Sequence, residues 1–209
     1  MEADDLKRWL GLCQDVQADE SMVRAVFEKL CWAYEAPSRA YHNLTHIRNC
    51  LTDFDRWLGE CDHPAVVELA IWFHDVVYDS RRPDNEQQSA LLARDLLAEM
   101  KIAGWVSQDV QALILLTRHD SPAGSPNGRL IQDVDLAILA TDPATFDRYE
   151  QAVRREYDWV EDRVFWPKRS DFLQSLLRRD QLFLTTSAFQ TCEGPARHNL
   201  ERSIAQNRG

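Results

Sequence analysis

The sequence contains little that would favour tight turns or β-structure. Among 209 residues there are seven glycines and eight prolines, and no segment alternates apolar and polar side chains over the length of a strand. A hydrophobic share of 44% and a charged share of 28% are ordinary for a globular protein. The scarcity of turn residues therefore favours a fold built from helices.

Three further absences bear on cellular setting and partners. No run approaches the ~20 apolar residues that a membrane span needs, and the first residues resemble neither a signal nor a transit peptide. The net charge of −10 argues against bulk nucleic-acid binding, which uses clustered Lys and Arg. A small phosphorylated ligand would need a local cation such as a metal ion. Five cysteines without CxxC spacing predict reduced thiols in a cytoplasmic protein: Cys13, Cys31, Cys50, Cys61 and Cys192.

Apolar residues recur at helical spacing through nearly the whole chain. The pattern has no internal repeat and no linker-like change of composition, so it predicts one all-α domain over residues 1–209. We expect a motif-bearing core at about 39–140 and C-terminal helices at 143–205 that pack on it. Two stripes show the spacing: Val23, Val26, Phe27, Leu30 and Tyr34, then Phe146, Tyr149, Val153 and Tyr157.

Proline and glycine mark the expected helix ends. Pro64 and Pro143 are placed to open helices, the second after a capping Asp142. Gly104 is placed to close the helix that contains SALLARDLLAEM, and the segment 119–129, HDSPAGSPNGR, is predicted to be a long loop.

Two histidines stand four residues apart in RAYHNLTHIRNCL. If residues 42–58 are helical, His42 and His46 share one face and can reach one site. The alternative is a pair of surface histidines or of histidines hydrogen-bonded in the core.

An adjacent His74 and Asp75 interrupt the apolar run LAIWFHDVVYDS. Burying an unpaired ionised group there would cost several kcal/mol, so the pair must be hydrogen-bonded or metal-bound. A metal wedged between them would satisfy both, and a buried His–Asp hydrogen bond is the alternative. Asp133 and Asp135 stand in a similar apolar stretch. We expect Asp135 to be the more buried and the metal-binding one, and Asp133 to interact with a helix dipole.

The set His46, His74, Asp75 and Asp135 mixes nitrogen and oxygen donors. Such a set suits one or two divalent ions of Mn, Fe, Co, Ni or Zn, with Mg at a more oxygen-rich second position.

The order H…HD…D resembles the HD-domain superfamily of metal-dependent phosphohydrolases. YHNLTH is similar to the YHNxxH segment of cyclic-nucleotide phosphodiesterases, and VDLA to their ADLS segment. Together with RAYHNLTHI, WFHDVVYD, DNEQQSA, DVDLAIL, VRREY and EGPARHNL, the chain resembles over nearly its whole length a bacterial family described as predicted metal-dependent HD-superfamily phosphohydrolases. HDVVYDS replaces the HDxxHPG of the phosphodiesterases, so cyclic-nucleotide chemistry is not implied.

The resemblance implies an HD-type helical bundle, metal ligation by the four residues above, and His42 in the place of the proton donor to the leaving oxygen. Asp75 would bridge two metals or hold the attacking water. The expected activity is hydrolysis of a phosphate ester or anhydride, with a nucleotide among the candidate substrates. A di-iron oxygenase and a non-catalytic metal- or nucleotide-binding module are the alternatives, and homo-oligomerisation is left open.

Other residues are weaker candidates. Glu86 would position water, or act only as a first-turn acid of its helix. His119 would be an extra ligand or substrate contact, or a solvated loop histidine. Arg39 and Arg118 would clamp a phosphate, or lie on the surface. Arg154 and Tyr157 match the VRREY motif without a derivable role. The aromatic residues Trp32, Tyr34 and Trp72 are expected in the core.

Overall fold

The computed structural model describes residues 3–206. Within them lie ten α-helices and no β-strand, which confirms the expected all-α class. Short 3-10 turns at Leu58–Glu60 and Ala137–Ala140 follow α3 and α7. None of the helices in this part of the chain combines the length and the apolar content needed to cross a membrane. The helices are α1 (Ala3–Asp15), α2 (Glu20–Tyr34), α3 (Leu44–Arg56), α4 (Pro64–Phe73), α5 (Asn85–Glu99), α6 (Gly104–Leu116), α7 (Pro126–Leu136), α8 (Pro143–Glu156), α9 (Asp162–Leu177) and α10 (Thr186–Gln206).

Helix α4 forms the centre of the fold. Seven of its ten residues are buried, and a helix that is apolar on all sides must be surrounded by other elements. Accordingly, α4 contacts α1, α3, α5, α6 and α7. The rings of Trp72 and Phe73 pack edge-on against Trp9 of α1, at centroid distances of 5.8 and 6.1 Å. The polar residues that follow α4 therefore emerge from the middle of the helical assembly.

The C-terminal helices share the same apolar core. Buried side chains form one continuous cluster from Trp9 to Ile204. Helix α10 packs on α9 and on the turn at Ala137–Ala140, which directly follows α7. The end of α7 is thus held between the central helix and the C-terminal part of the chain.

The stripe on α2 is buried as predicted, and the Tyr34 hydroxyl donates a hydrogen bond to the Trp72 carbonyl at 2.9 Å. Trp32 was expected in the core, but it is 81% exposed. Two residues correspond to about 200° around a helix, so Trp32 lies on the side of α2 opposite to the buried Leu30 and Tyr34.

The proline signals for helix starts are confirmed, whereas the glycine signal is wrong. Pro64 and Pro143 begin α4 and α8, and the Asp142 carboxylate accepts hydrogen bonds from the first turn of α8. Gly104 begins α6, while Lys101 takes the left-handed conformation after α5, at φ 56°. The loop is shorter than the predicted 119–129, because α7 begins at residue 126 with a proline in its first turn.

Candidate metal centre

Three helices bring the predicted ligands together beside the C-terminus of α4. His74 caps α4, and its backbone N–H still bonds the Ala70 carbonyl at 2.8 Å, while Asp75 lies in the turn that follows. His46 lies in the first turn of α3, and Asp135 in the last turn of α7. The His–Asp pair directly follows the apolar residues of α4. Because α4 ends before it, the chain turns and both side chains can point to one place.

In five of the six pairs that these four residues form, the donor atoms lie 3.1–3.6 Å apart. His46 Nε2 lies 3.1 Å from His74 Nε2, 3.5 Å from Asp75 Oδ2 and 3.3 Å from Asp135 Oδ1. His74 Nε2 lies 3.1 Å from Asp75 Oδ2 and 3.6 Å from Asp135 Oδ1. Metal–ligand bonds of about 2.1 Å place neighbouring donors about 3.0 Å apart at 90° and about 3.4 Å apart at the tetrahedral angle. These separations are those expected between ligands of one ion, with His46 and His74 each close to both carboxylates.

The proton positions also favour a cation at the centre of this cluster. His74 Nδ1 lies 2.9 Å from the Ile71 carbonyl, which can only accept a hydrogen bond, so the neutral His74 ring presents a lone pair on Nε2. Both imidazoles are buried, and the two carboxylates beside them are acceptors as well. Several lone pairs in such close contact require a shared proton or a metal ion.

The charges of the cluster are mutually dependent. Burial favours the neutral form of His74, but Asp75 and Asp135 raise its pKa well above the ordinary value. Burial likewise favours a protonated Asp75, yet His74 and His42 hold the pKa of Asp75 below its usual range. The pKa of Asp135 is lowered well below its usual range, against the effect of burial, by hydrogen bonds from His119, His46 and His74. The carboxylates are therefore ionised and available to a cation.

His42 does not lie on the helix with His46. Helix α3 begins at Leu44, capped by Asn43, whose side chain accepts from the Thr45 N–H. The turn before α3 nevertheless keeps His42 nearby. The ring centroid of His42 lies 6.0 Å from that of His46, and the His42 ring stacks on Tyr78 at a centroid distance of 3.9 Å. His42 thus borders the cluster without contributing a ligand atom to it.

Glu156 is the functional candidate that the sequence analysis missed. Its side chain is 1% exposed and lies 2.6 Å from Nδ1 of His42. It also accepts hydrogen bonds from the backbone N–H groups of Tyr41 and His42, at 2.7 and 2.9 Å. Burial opposes its charge, but the bond from His42 lowers the pKa of Glu156. A signal was present, because Glu156 lies three residues after Val153 of the buried stripe.

His119 is not a solvated loop histidine. Its side chain is 9% exposed and its Nε2 lies 2.8 Å from Asp135 Oδ2, while its buried Nδ1 has no hydrogen-bond partner. The backbone of His119 is in the left-handed region at φ 56°, and its carbonyl accepts a hydrogen bond from Arg179. Strained backbone at a cluster of ionisable groups is typical of functional sites.

The two aspartates of α7 have separate environments. Asp133 is fully buried, and Asp135 is the more exposed of the two, so the expected ranking by burial is wrong. The Asp133 carboxylate accepts from the backbone N–H groups of Leu184 and Thr185 at 2.8 and 2.7 Å, immediately before α10. Asp133 therefore anchors the start of α10, and Asp135 alone of the pair faces the histidines.

The arginines suggested by sequence have other partners. Arg39 is buried and donates to the carbonyls of His42, Asp75 and Val76 at 3.2, 2.6 and 2.8 Å. Its guanidinium joins the two motif segments, so the expectation that it clamps a phosphate is wrong. Arg118 pairs with Asp120 at 3.1 Å. Arg154 donates to carbonyls of the turn after α8, which gives that motif residue a structural role.

A cavity of about 570 Å³ opens onto the cluster. Asp75 and Asp135 line it together with His42 and His119. Glu86, in the first turn of α5, and Arg118 line it as well, whereas Arg39 does not. The remaining wall is rich in aromatic side chains: Tyr41, Tyr78, Tyr149, Tyr157, Trp159, Phe165 and Phe172. A ligand in this cavity would meet the carboxylates of Asp75 and Asp135 and the ring of His42 together.

Comparison with family models, with curated proteins and with solved structures gives no match to this chain. Functional inference therefore depends on the residues of the site and on their geometry.

Proposed function

We propose that this protein is a metal-dependent phosphohydrolase of the HD type that cleaves a phosphate ester or anhydride with water. The observation that carries the proposal is the convergence of His46 and His74 with Asp75 and Asp135: each imidazole Nε2 lies 3.1–3.6 Å from both carboxylates, and the two carboxylates line a cavity.

The donor set suits a divalent transition metal. Two imidazole nitrogens and two carboxylate oxygens are appropriate for Mn, Fe, Co, Ni or Zn, and His119 beside Asp135 would complete a second position, whereas Mg would require a second position richer in oxygen ligands. When bound, such an ion lowers the pKa of a coordinated water from about 15.7 towards ~7 and polarises a phosphoryl oxygen.

The neighbouring side chains provide the proton chemistry. The Glu156 carboxylate fixes the His42 ring through Nδ1, which leaves Nε2 to donate a proton to the departing oxygen. General acids of this kind contribute about 10²–10⁴-fold. Asp75, which contacts His74 and lines the cavity, would hold the attacking water, and Glu86 is a further carboxylate in the same cavity.

Metal binding is the first test. Chelator-treated protein should gain about 5–10 °C in melting temperature on adding a hundredfold excess over Kd of the correct ion, because ligand binding at that excess stabilises by about 2.7 kcal/mol. His74→Ala and Asp75→Ala should lose this gain. The matched control, His63→Ala, changes an exposed histidine outside the cluster and should keep it. No bound metal in elemental analysis, together with no gain for any of Mn, Fe, Co, Ni, Zn or Mg, would contradict the proposal.

Phosphate release is the second test. The metal-loaded protein should release inorganic phosphate from some member of a panel of phosphomonoesters, nucleotides and cyclic nucleotides. Bound metal without release from any of them would favour a non-catalytic binding module.

A di-iron oxygenase is the second candidate, and the position of His119 favours it. An oxygenase needs two iron ions, and His119 lies 2.8 Å from Asp135, where it could serve a second ion. Two irons per chain, with oxygen consumption and no phosphate release, would support this alternative. Loss of the second ion in His119→Ala, with phosphate release retained, would contradict it.

A further inference from the structure

One side of α9 lines the cavity that adjoins the metal centre. We call it the α9 face. Its residues stand at positions i, i+3, i+4, i+7 and i+11, which places them on one side of the helix, and all of them line the cavity: Phe165, Lys168, Arg169, Phe172 and Leu176.

The α9 face and the turn before it present aromatic surface to the cavity. Phe172 is 42% exposed and Trp159 is 47% exposed, although both line it. Tyr157 connects Trp159 to Phe165 of the α9 face, since its ring lies 5.8 Å from Phe165 and stacks on Trp159 at 6.3 Å. Exposed aromatic rings inside a concave site are a surface on which a flat ligand ring can stack.

The charged side chains of the cavity limit the number of phosphate groups that a ligand can carry. Arg82 pairs with Asp84 at 2.9 Å, Arg118 with Asp120 at 3.1 Å, and Arg169 with Glu150 at 2.6 Å. The fourth basic residue of the cavity wall is Lys168. Among the described residues 3–206, no carboxylate lies at ion-pair distance from it. The carboxylates of Asp75, Asp135 and Glu86 in the same cavity would repel additional phosphates. These charges suit one phosphate group better than a chain of them.

We propose that the substrate is a phosphomonoester with a flat aromatic body, of the aryl or nucleoside monophosphate class. Its phosphate contacts Lys168 and the metal centre, and its ring covers Phe172 of the α9 face. A cavity of about 570 Å³ is within the range of about 300–1,000 Å³ for small-molecule sites. This inference rests on the proposed phosphohydrolase function.

The test compares two non-hydrolysable phosphonates by calorimetry on the metal-loaded protein. Phenylphosphonate and methylphosphonate carry the same head group, and the first should bind about tenfold more tightly, because stacking on one aromatic side chain contributes about that much. Phe172→Ala should remove this preference. Phe189→Ala, the matched control, changes an aromatic residue of similar exposure (39%) that does not line the cavity, and it should retain the preference.

The phosphate contact is tested in the same way. Lys168→Gln should weaken both phosphonates about tenfold, the size expected for a charge-assisted hydrogen bond, whereas Lys7→Gln, an exposed lysine outside the cavity, should weaken neither. Equal affinity for the two phosphonates, or equal kcat/KM for phenyl phosphate and glycerol phosphate, would overturn the inference and leave the phosphohydrolase proposal intact. Preferential phenylphosphonate binding that Phe172→Ala abolishes, without hydrolysis of any ester, would support the ligand class and refute the hydrolase.

Discussion

Replacing Glu156 by glutamine separates the orientation of His42 from the folding of the chain. The two backbone N–H groups of Tyr41 and His42 both donate to Oε1 of Glu156, and a glutamine oxygen can accept both. The amide NH₂ would then face Nδ1 of His42, where the carboxylate Oε2 now lies at 2.6 Å. An NH₂ group cannot accept the Nδ1 proton, so the neutral ring would reverse its tautomer and the imidazolium would lose its carboxylate partner.

The size of the effect follows from the bond that is lost. A charge-assisted hydrogen bond contributes about 1.5–3 kcal/mol, which corresponds to about 10- to 150-fold in rate. The pKa of Glu156 lies below its ordinary value, so the carboxylate is charged throughout a neutral pH assay. We expect kcat to fall by this factor in Glu156→Gln for an alkyl phosphomonoester, whose leaving oxygen needs a proton.

The choice of substrate makes the experiment decisive. p-Nitrophenyl phosphate releases a stabilised phenolate that needs no general acid, so its kcat should change by less than about threefold in Glu156→Gln. The melting temperature and the metal content should match those of the wild type. Equal losses on both substrates would refute the orienting role and indicate general damage to the site. An unchanged rate on the alkyl ester would refute the role of His42 as the acid.

Three further changes test the structure itself by urea denaturation. Asp133→Ala should lower the free energy of unfolding by about 3 kcal/mol, because buried N–H and O–H donors at 2.7–2.8 Å lose their acceptor; metal loss in this variant would show that Asp133 and Asp135 are wrongly distinguished. Gln17→Gly should raise the free energy of unfolding by about 1 kcal/mol, because glycine adopts the left-handed conformation at φ 55° after α1 without the steric strain of a side chain. An equal gain in Gln17→Ala would contradict that reason. Gly128→Ala should lower the free energy of unfolding by about 1 kcal/mol, because the new Cβ would lie 2.9 Å from two side chains. A more stable variant would show that these neighbouring side chains move aside at little cost.

Sequence reasoning was most effective where a charged residue interrupts an apolar segment. His74 and Asp75 follow helix α4, in which seven of ten residues are buried, and the cost of leaving such groups unpaired predicts that they are hydrogen-bonded or metal-bound. The same reasoning failed for the aspartates of α7, because local hydropathy does not show what lies across the interface. The fully buried Asp133 has its partners in the backbone before α10, about fifty residues away in sequence.

Helix ends were the other source of error. Periodicity indicates which face of a helix is buried but carries little information on where the helix stops. The expected helix over 42–58 begins two residues later, and the helix from Pro64 ends at Phe73, before the His–Asp pair. Both differences change the site, since His42 and Asp75 lie in turns. Glu156 escaped notice for a related reason: its spacing to Val153 indicates that it is buried, but the sequence of α8 does not indicate that it meets His42.

The buried position of Arg39 leaves the cavity short of positive charge for an anionic substrate. The arginine nearest to the histidine motif is used to join the segments of His42 and Asp75 through their carbonyls, and Arg82, Arg118 and Arg169 of the cavity wall are paired with carboxylates. If the cavity binds a phosphate, most of the positive charge that the phosphate requires must therefore come from a bound ion. On the proposed function, the metal is needed to admit the substrate as well as to activate water, because the carboxylates that hold it would otherwise repel a phosphate from the same cavity.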